Sequence, residues 1–303
     1  DVYKRQIYIV LTAAEAVALR IAGMSWFDAV NHSFTTMATG GFSVRNTSIA
    51  EYQSDAITWV IVAFTFLAGI NFSLLYAVVR GRIKDALRSE ELRWYLLILA
   101  ATIGLICVDL HVELGQGWYE SVTDAAFQAT TIMSTTGYAT KDFTLWPTFS
   151  RCILVLLMFV GACAGSTGGG IKVSRILILG KTLGKELKQA LHPQVVAPAR
   201  MDGKLLNHET IRTTNVFIGA YFFIFITSFL LISLNGFDMV TNFTAVAATM
   251  NNIGPGLAQV GPMMNFGAYS NFAKLVLIFD MLAGRLEIFP MLVLFLPDAW
   301  RRF

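Results

Sequence analysis

Apolar runs long enough to cross a bilayer alternate along this chain with shorter, mixed segments that end in glycine. Residues 7–21 form the first run, interrupted by Glu15 and Arg20. Residues 26–38 follow as a mixed helix. Asp28 stands in its first turn, where the helix dipole favours an anion, and the segment ends in Thr39-Gly40-Gly41-Phe42-Ser43. Residues 55–79 read as a full span, longer than the roughly 20 residues a helix needs to cross. The pattern then returns. Residues 92–111 predict a span, 121–134 a short helix, Thr135-Thr136-Gly137-Tyr138 its turn, and 147–179 a long apolar run. A third round has a span at 213–234, a short helix at 241–250, the turn Asn251-Asn252-Ile253-Gly254-Pro255-Gly256, and a last span at 272–296. Trp300-Arg301-Arg302-Phe303 reads as an aromatic and basic interfacial anchor.

The rounds are related in sequence. An offset of 96, which aligns Gly41 with Gly137, makes Ser25/Ser121, Asp28/Asp124, Ala29/Ala125, Thr35/Thr131, Met37/Met133 and Thr39/Thr135 identical, with Arg45/Lys141 similar. The third round is weaker. Met250 matches Met133 and Gly254 matches Gly137, but Asn252-Ile253 replaces the threonine pair. Each round is a span, a short re-entrant helix, a glycine turn and a second span, an internal repeat that lends weight to all three turns.

Composition agrees with the patterning. Of 303 residues, 55% are hydrophobic and only 14% charged, against about 25% charged in a soluble domain. Mean hydropathy is +0.59. The expected fold is an all-α polytopic membrane protein with its repeats around a central pore, divided as 1–80, 81–211 and 212–303. Cys107, Cys152 and Cys163 lie scattered in apolar stretches and suggest neither a disulfide framework nor a metal site. The four histidines have no paired spacing, and no nucleophile–base pair appears, so no enzyme is expected.

Charge sets the orientation. Lys4, Arg5, the cluster Arg80, Arg82, Lys84, Arg88 and Arg93, the basic residues from Lys172 to Arg212, and Arg301 and Arg302 fall on the side opposite the glycine turns: 17 of 23 basic residues. The positive-inside rule puts that side in the cytoplasm and the turns outside.

A hydroxyl-rich, glycine-broken turn between spans is costly unless it lines a polar path, because free carbonyls find no water in hydrocarbon. Carbonyl rings of the Thr-Val-Gly-Tyr-Gly kind replace the hydration shell of potassium. Carbonyls around Thr39, Gly40 and Gly41, around Thr135, Thr136 and Gly137, and around Asn252, Ile253 and Gly254 are therefore expected to face a monovalent cation. The competing reading is an ordinary glycine helix cap.

Residues 147–179 are too long for one span, about 50 Å as helix against a core of about 30 Å. They contain Gly165-Ser166-Thr167-Gly168-Gly169-Gly170, and glycine is a poor helix former, so the helix is expected to break in mid-membrane with its loop below the turns. Ile171 before Lys172 spoils the Walker pattern, while Gly161 and Gly165 leave close helix packing as a rival. Arg285, deep in the last span, needs a partner. Met281, Leu282, Ile288 and Phe289 on its own face supply none, so polar atoms of the 165–170 loop are expected to, with snorkelling to the interface as the alternative. Asp109, His111 and Glu113 read as an interfacial rim, Glu15 as packed against a neighbouring helix, and 181–212 as a solvated connection.

Met24-Ser25-Trp26-Phe27-Asp28, the three turns, the 165–170 loop and Gly284-Arg285-Leu286-Glu287-Ile288-Phe289 together resemble the Trk/Ktr/HKT superfamily of cation uptake proteins, most closely the TrkH type, over nearly the whole chain. The resemblance implies potassium uptake in the bacterial inner membrane, with no cofactor beyond the transported K+. It implies four repeats around one pore, of which this chain shows three, similar to the second, third and fourth. The chain opens on Asp1 without a signal-peptide pattern, and the first repeat is expected to lie outside it. The resemblance also implies that the 165–170 loop is a gate contacted by Arg285. The partners implied are the lipid bilayer, a second copy in a homodimer and a cytosolic nucleotide-binding regulatory subunit of TrkA type. A secondary transporter of a small solute, built on broken helices, is the alternative function, and a pore-less assembly protein a third.

Overall fold

The computed structural model describes residues 2–194 and 198–300; Arg301 to Phe303 of the expected anchor lie outside the described residues. The order is α1 (Val2–Ile21), α2 (Trp26–Met37), α3 (Asp55–Ala68), α4 (Phe72–Val79), α5 (Ile83–Arg88), α6 (Glu90–Leu114) and α7 (Trp118–Met133), then α8 (Thr148–Phe159) and α9 (Val173–Leu191). A two-strand hairpin follows, β1 (Arg200–Met201) and β2 (Lys204–Leu205), and then α10 (His208–Ile232), α11 (Met239–Met250), α12 (Asn271–Arg285) and α13 (Phe289–Val293). The protein is an all-α polytopic membrane protein.

Glu90–Leu114 and the helix starting at His208 are long and apolar enough to cross a membrane. At 1.5 Å per residue the 25 residues of α6 reach about 37 Å. Their outer faces carry Leu97, Leu105, Val108, Phe223, Ile226 and Leu230, all exposed, as suits contact with lipid tails. Ser89 caps the start of α6, and Gly115 ends it with φ 65°, a left-handed conformation glycine adopts without a Cβ penalty.

α7 is the buried centre. Every residue from Asp124 to Met133 is buried, and the helix packs against α3, α6 and α8. Its small residues Ala125, Ala126 and Ala129 let these neighbours approach closely, as helices in a bilayer favour.

All three second spans are broken, where the pattern above predicted one break. α8 ends at Phe159 and α9 starts at Val173, leaving residues 160–172 as the expected loop. Residues 55–79, read as one span, instead bend by 104° between α3 and α4. Asn71 explains the bend: its side-chain Oδ1 accepts the Ser73 N–H at 2.8 Å and starts a new helix, a local bond that competes with helix continuation. Residues 272–296 also divide. α12 stops at Arg285, Glu287 is left-handed with φ 56°, and α13 begins with Pro290 in its first turn. Proline inside a continuous helix would clash with the carbonyl four residues back, that of Leu286. The expected solvated connection at 181–212 is also more ordered than predicted, because α9 runs on to Leu191 and the hairpin follows.

Candidate functional site

α2, α7 and α11 end in turns with the same backbone. Thr39, Thr135 and Asn252 have φ of 50°, 60° and 59°; two residues later Gly41, Gly137 and Gly254 have φ of 65°, 81° and 106°. The hydrogen bonds repeat as well. Gly40 and Gly41 donate to Thr35 O at 2.7 and 3.4 Å, Thr136 and Gly137 to Thr131 O at 2.8 and 3.1 Å, and Ile253 and Gly254 to Ala248 O at 2.8 and 3.5 Å. The turns are thus helix caps in form. Their amides are spent on a helix carbonyl, which leaves their own carbonyls for another partner.

The glycines also set how the turns meet. A Cβ on Gly41 would lie 1.8 Å from Thr136 O, and one on Gly137 would lie 1.7 Å from Ile253 O. The first turn therefore abuts the second and the second abuts the third, each through a glycine against a carbonyl. Gly254 has nothing within 4 Å of its Cβ position, so the arc is open on that side. A cavity of about 710 Å³ is lined by all three turns, including Thr39, Gly41, Thr136, Gly137, Asn252 and Gly254.

Side chains brace the turns from behind. The Tyr138 hydroxyl is buried and donates to His32 O at 3.2 Å, with Thr35 Oγ1 2.5 Å away, fixing the second turn to α2. Arg45 pairs with Asp28 at 3.1 Å, and Lys141 pairs with Asp124 at 2.8 Å. These two ion pairs occupy matching positions in the first two rounds. The aligned pairs Asp28/Asp124 and Arg45/Lys141 carry the signal for them in the sequence.

Residues 160–172 lie against the turns. Thr39 Oγ1 donates to Thr167 O at 2.9 Å, and Gly169 N–H donates to Thr135 Oγ1 at 2.6 Å. Gly168 and Gly169 leave no room for side chains, since their Cβ positions lie 2.8 Å from Ser134 O and from Asn251 O respectively. Gly161 N–H bonds Ile171 O at 2.8 Å and closes the loop on itself, while Cys163 N–H bonds Gly69 O at the α3–α4 bend, 3.0 Å away.

Arg285 Nη1 donates to the Thr167 carbonyl at 2.8 Å. Gly284 permits this, because a Cβ there would meet Met250 O at 1.9 Å. A second cavity of about 320 Å³ is lined by Gly165, Ser166, Thr167, Gly168, Gly169 and Gly170 together with Lys172 and Arg285. Arg285 lines both cavities, whereas the loop residues line only the second.

Lys172, Asp109 and Asp280 have partners that the sequence does not show. Lys172, counted among the basic residues on the side opposite the turns, is buried and donates to the carbonyls of Gly168 and Gly169. Asp109, read as a rim residue, accepts the Ser150 N–H at 3.0 Å and caps α8. Asp280 is fully buried and accepts from Ser228 Oγ at 2.6 Å. None of these partners is visible as a residue pattern, since two are backbone groups and one lies on a distant helix.

A family model described as TrkH, cation transport protein, matches residues 6–301. The chain is 38% identical over 304 residues to the Trk system potassium uptake protein TrkH of Salmonella typhimurium, across 97% of this chain and 61% of that relative. It is 36% identical over 302 residues to the Trk system potassium uptake protein TrkG of Escherichia coli, across 97% of this chain and 60% of that relative. The crystal structure of the potassium transporter TrkH from Vibrio parahaemolyticus superposes with a TM-score of 0.91 at 38% identity, covering 98% of this chain and 64% of the other. The chain thus spans about three-fifths of the length of these relatives.

Proposed function

Because the chain belongs to the TrkH family of cation transport proteins, we propose that it supplies three quadrants of a carbonyl-lined path for potassium uptake across a bacterial inner membrane, with its turns facing outward. One observation carries the reading: three turns with the same pair of left-handed residues line one cavity, each packed on the next. Carbonyl rings of this kind replace an ion's water shell. The units 1–80, 81–211 and 212–303 each contribute one turn, at Thr39-Gly40-Gly41, Thr135-Thr136-Gly137 and Asn252-Ile253-Gly254. The open side at Gly254 is where a fourth turn would close the ring. By itself this chain is then not a selective pore.

The 165–170 loop is the gate in this reading, and two cations hold it. Arg285 binds Thr167 O, and Lys172 binds Gly168 O and Gly169 O. Lys172 is buried, and a cation in hydrocarbon needs such partners; while both side chains hold it, the loop stays closed against the turns. The partners proposed are a second copy of the protein and a cytosolic nucleotide-binding subunit of TrkA type on the basic face.

The secondary-transporter alternative draws support from one residue, Asp280, a buried acid in α12. It does not line the cavity between the turns, whereas its neighbour Met281 does. The channel reading is therefore preferred.

The test is rubidium uptake by the gene product carrying this chain, in cells stripped of their own potassium systems. Rubidium uptake that potassium competes away is the expected result, and uptake of a carboxylate or amino acid instead would sink the reading. Arg285→Ala and Lys172→Met should each raise rubidium flux at normal expression, and unchanged flux in both removes the gate assignment.

A further inference from the structure

α6 carries two acids that reach across to cap the halves of the broken α8–α9 span. Asp109, near its far end, accepts the Ser150 N–H in the first turn of α8 at 3.0 Å. Glu91, in its first turn, accepts the Ser174 N–H in the first turn of α9 at 3.1 Å. α9 has no side-chain cap of its own. A carboxylate there satisfies an orphan helix amide and meets the positive end of the dipole.

Glu91 differs from Asp109 in one respect. The same Oε1 atom that accepts from Ser174 also accepts from the Ala164 N–H at 2.7 Å. Ala164 lies where the chain enters the glycine-rich segment, and Ser174 lies just after it leaves. One carboxylate oxygen, on a side chain only 6% exposed, therefore ties both stems of the loop to a membrane-spanning helix. Charge-assisted bonds of this kind are roughly twice as strong as neutral ones. A buried carboxylate stripped of its donors is also strongly disfavoured. The closed loop and the buried Glu91 hold each other in place.

The preceding residue faces the other way. Glu90 N–H donates to Asp202 Oδ1 at 2.6 Å. Asp202 sits in the turn of the β1–β2 hairpin, with φ 50°. The Glu90 carboxylate pairs with Lys181, whose ammonium also donates to Arg200 O at 2.5 Å. The first turn of α6 thus has the hairpin bonded to one residue and both loop stems bonded to the next.

We propose that Glu91 is the positioning residue that keeps the 160–172 loop closed, and that the first turn of α6 transmits displacement of the hairpin at Asp202 to that loop. The proposal rests on the gate reading given above. Glu91 acts through the loop stems and touches none of the three turns, so its effect is on opening and not on which ion passes.

The cysteines provide the test. Cys163 lies in the entry stem beside Ala164 and is buried; Cys107 is buried on α6 itself; Cys152 is exposed. The gene product carrying this chain is reconstituted in vesicles with Cys152→Ala. N-ethylmaleimide labelling of Cys163 and Cys107 is followed by peptide mass, alongside rubidium flux. Loss of charge-assisted bonds in Glu91→Gln should speed labelling of Cys163 by at least about tenfold, leave Cys107 unchanged, raise rubidium flux and preserve the K+/Na+ ratio. Glu91→Asp should recover part of the protection. Asp202→Ala should act in the same direction by a smaller factor.

Equal acceleration at Cys107 and Cys163 would mean general loosening and overturns the positioning role. An unchanged Cys163 overturns it too, and so does an altered K+/Na+ ratio. If Asp202→Ala leaves Cys163 as in the parent, the link to the hairpin fails. Faster Cys163 labelling with unchanged flux keeps Glu91 as the holder of the loop and overturns the gate reading instead.

Discussion

The first two glycine turns and the third share a backbone and differ in how they are braced. Behind Thr39-Gly40-Gly41, Asp28 of α2 reaches Arg45 after the turn at 3.1 Å. Behind Thr135-Thr136-Gly137, Asp124 reaches Lys141 at 2.8 Å. The matching positions in the third round are Thr241 and Ala258, which cannot form an ion pair. Hydroxyls take over. Thr244 Oγ1 accepts the Leu257 N–H at 2.9 Å, and Thr241 Oγ1 accepts the Gln259 N–H at 3.4 Å while donating to Asp238 Oδ1 at 2.5 Å.

The same turn therefore tolerates two kinds of support. What both achieve is to anchor the chain leaving the turn to the first turns of the helix that leads into it. An ion pair does this with long, flexible side chains and depends on charge; threonine does it with short ones, through backbone amides. The left-handed pair of residues is thus the constant of the site, and the latch is replaceable.

The largest effect should come from the constant part. In Gly137→Ala the new methyl would sit 1.7 Å from Ile253 O. Overpacking of this kind costs about 1–3 kcal/mol or more, and rubidium flux should fall by at least about 100-fold. Gly254→Ala extends the comparison. Its Cβ meets nothing in this chain, and only the φ of 106° opposes it. If a further turn closes the ring, Gly254→Ala should be as damaging as Gly137→Ala in the gene product. Wild-type flux in Gly254→Ala would mean that the arc stays open.

A smaller, graded effect is expected from the latches. Lys141→Met leaves the buried Asp124 without its ion-pair partner, and an uncompensated buried polar group costs about 1–3 kcal/mol. The second turn should loosen, and the K+/Na+ ratio in competition uptake should drop about threefold to tenfold. Lys141→Arg should hold it. Thr244→Val tests the other kind of latch by leaving the Leu257 amide unpaired. If both variants keep the wild-type ratio, the latches support folding and not the path.

Much of this arrangement is legible in the sequence because it repeats there. The offset of 96 found the first two turns, and Gly254 placed the third. Glycine runs announced the loop at 160–172, and the absence of an acid on its own face sent Arg285 to that loop. The remainder was hidden for identifiable reasons. Left-handed Thr39, Thr135 and Asn252 carry no glycine to announce them. The bend at Asn71 interrupts an otherwise apolar run. Lys172, Glu91 and Asp109 look like interfacial charges because their partners are backbone groups, which sequence does not distinguish from one residue to another.

The smallest effect belongs to Asp238, which caps α11 and steadies the third latch. Its carboxylate accepts the Thr241 hydroxyl and the Thr241 N–H, the latter at 3.0 Å. These bonds hold it below the usual carboxylate range. A carboxylate whose pKa is depressed by folding adds stability above its unfolded pKa and loses it as pH falls through the folded one. The third turn should therefore keep its brace through the mildly acidic range and lose it only below that of an ordinary aspartate. Asp238→Ala removes a cap worth about 1 kcal/mol. Asp238→Asn keeps a capping oxygen but no charge, so its thermal stability should no longer fall with that acidic transition. The first two turns, braced by Asp28 and Asp124, should be indifferent to either change. Loss of K+/Na+ discrimination in Asp238→Asn as large as in Lys141→Met would show that the third latch also depends on charge.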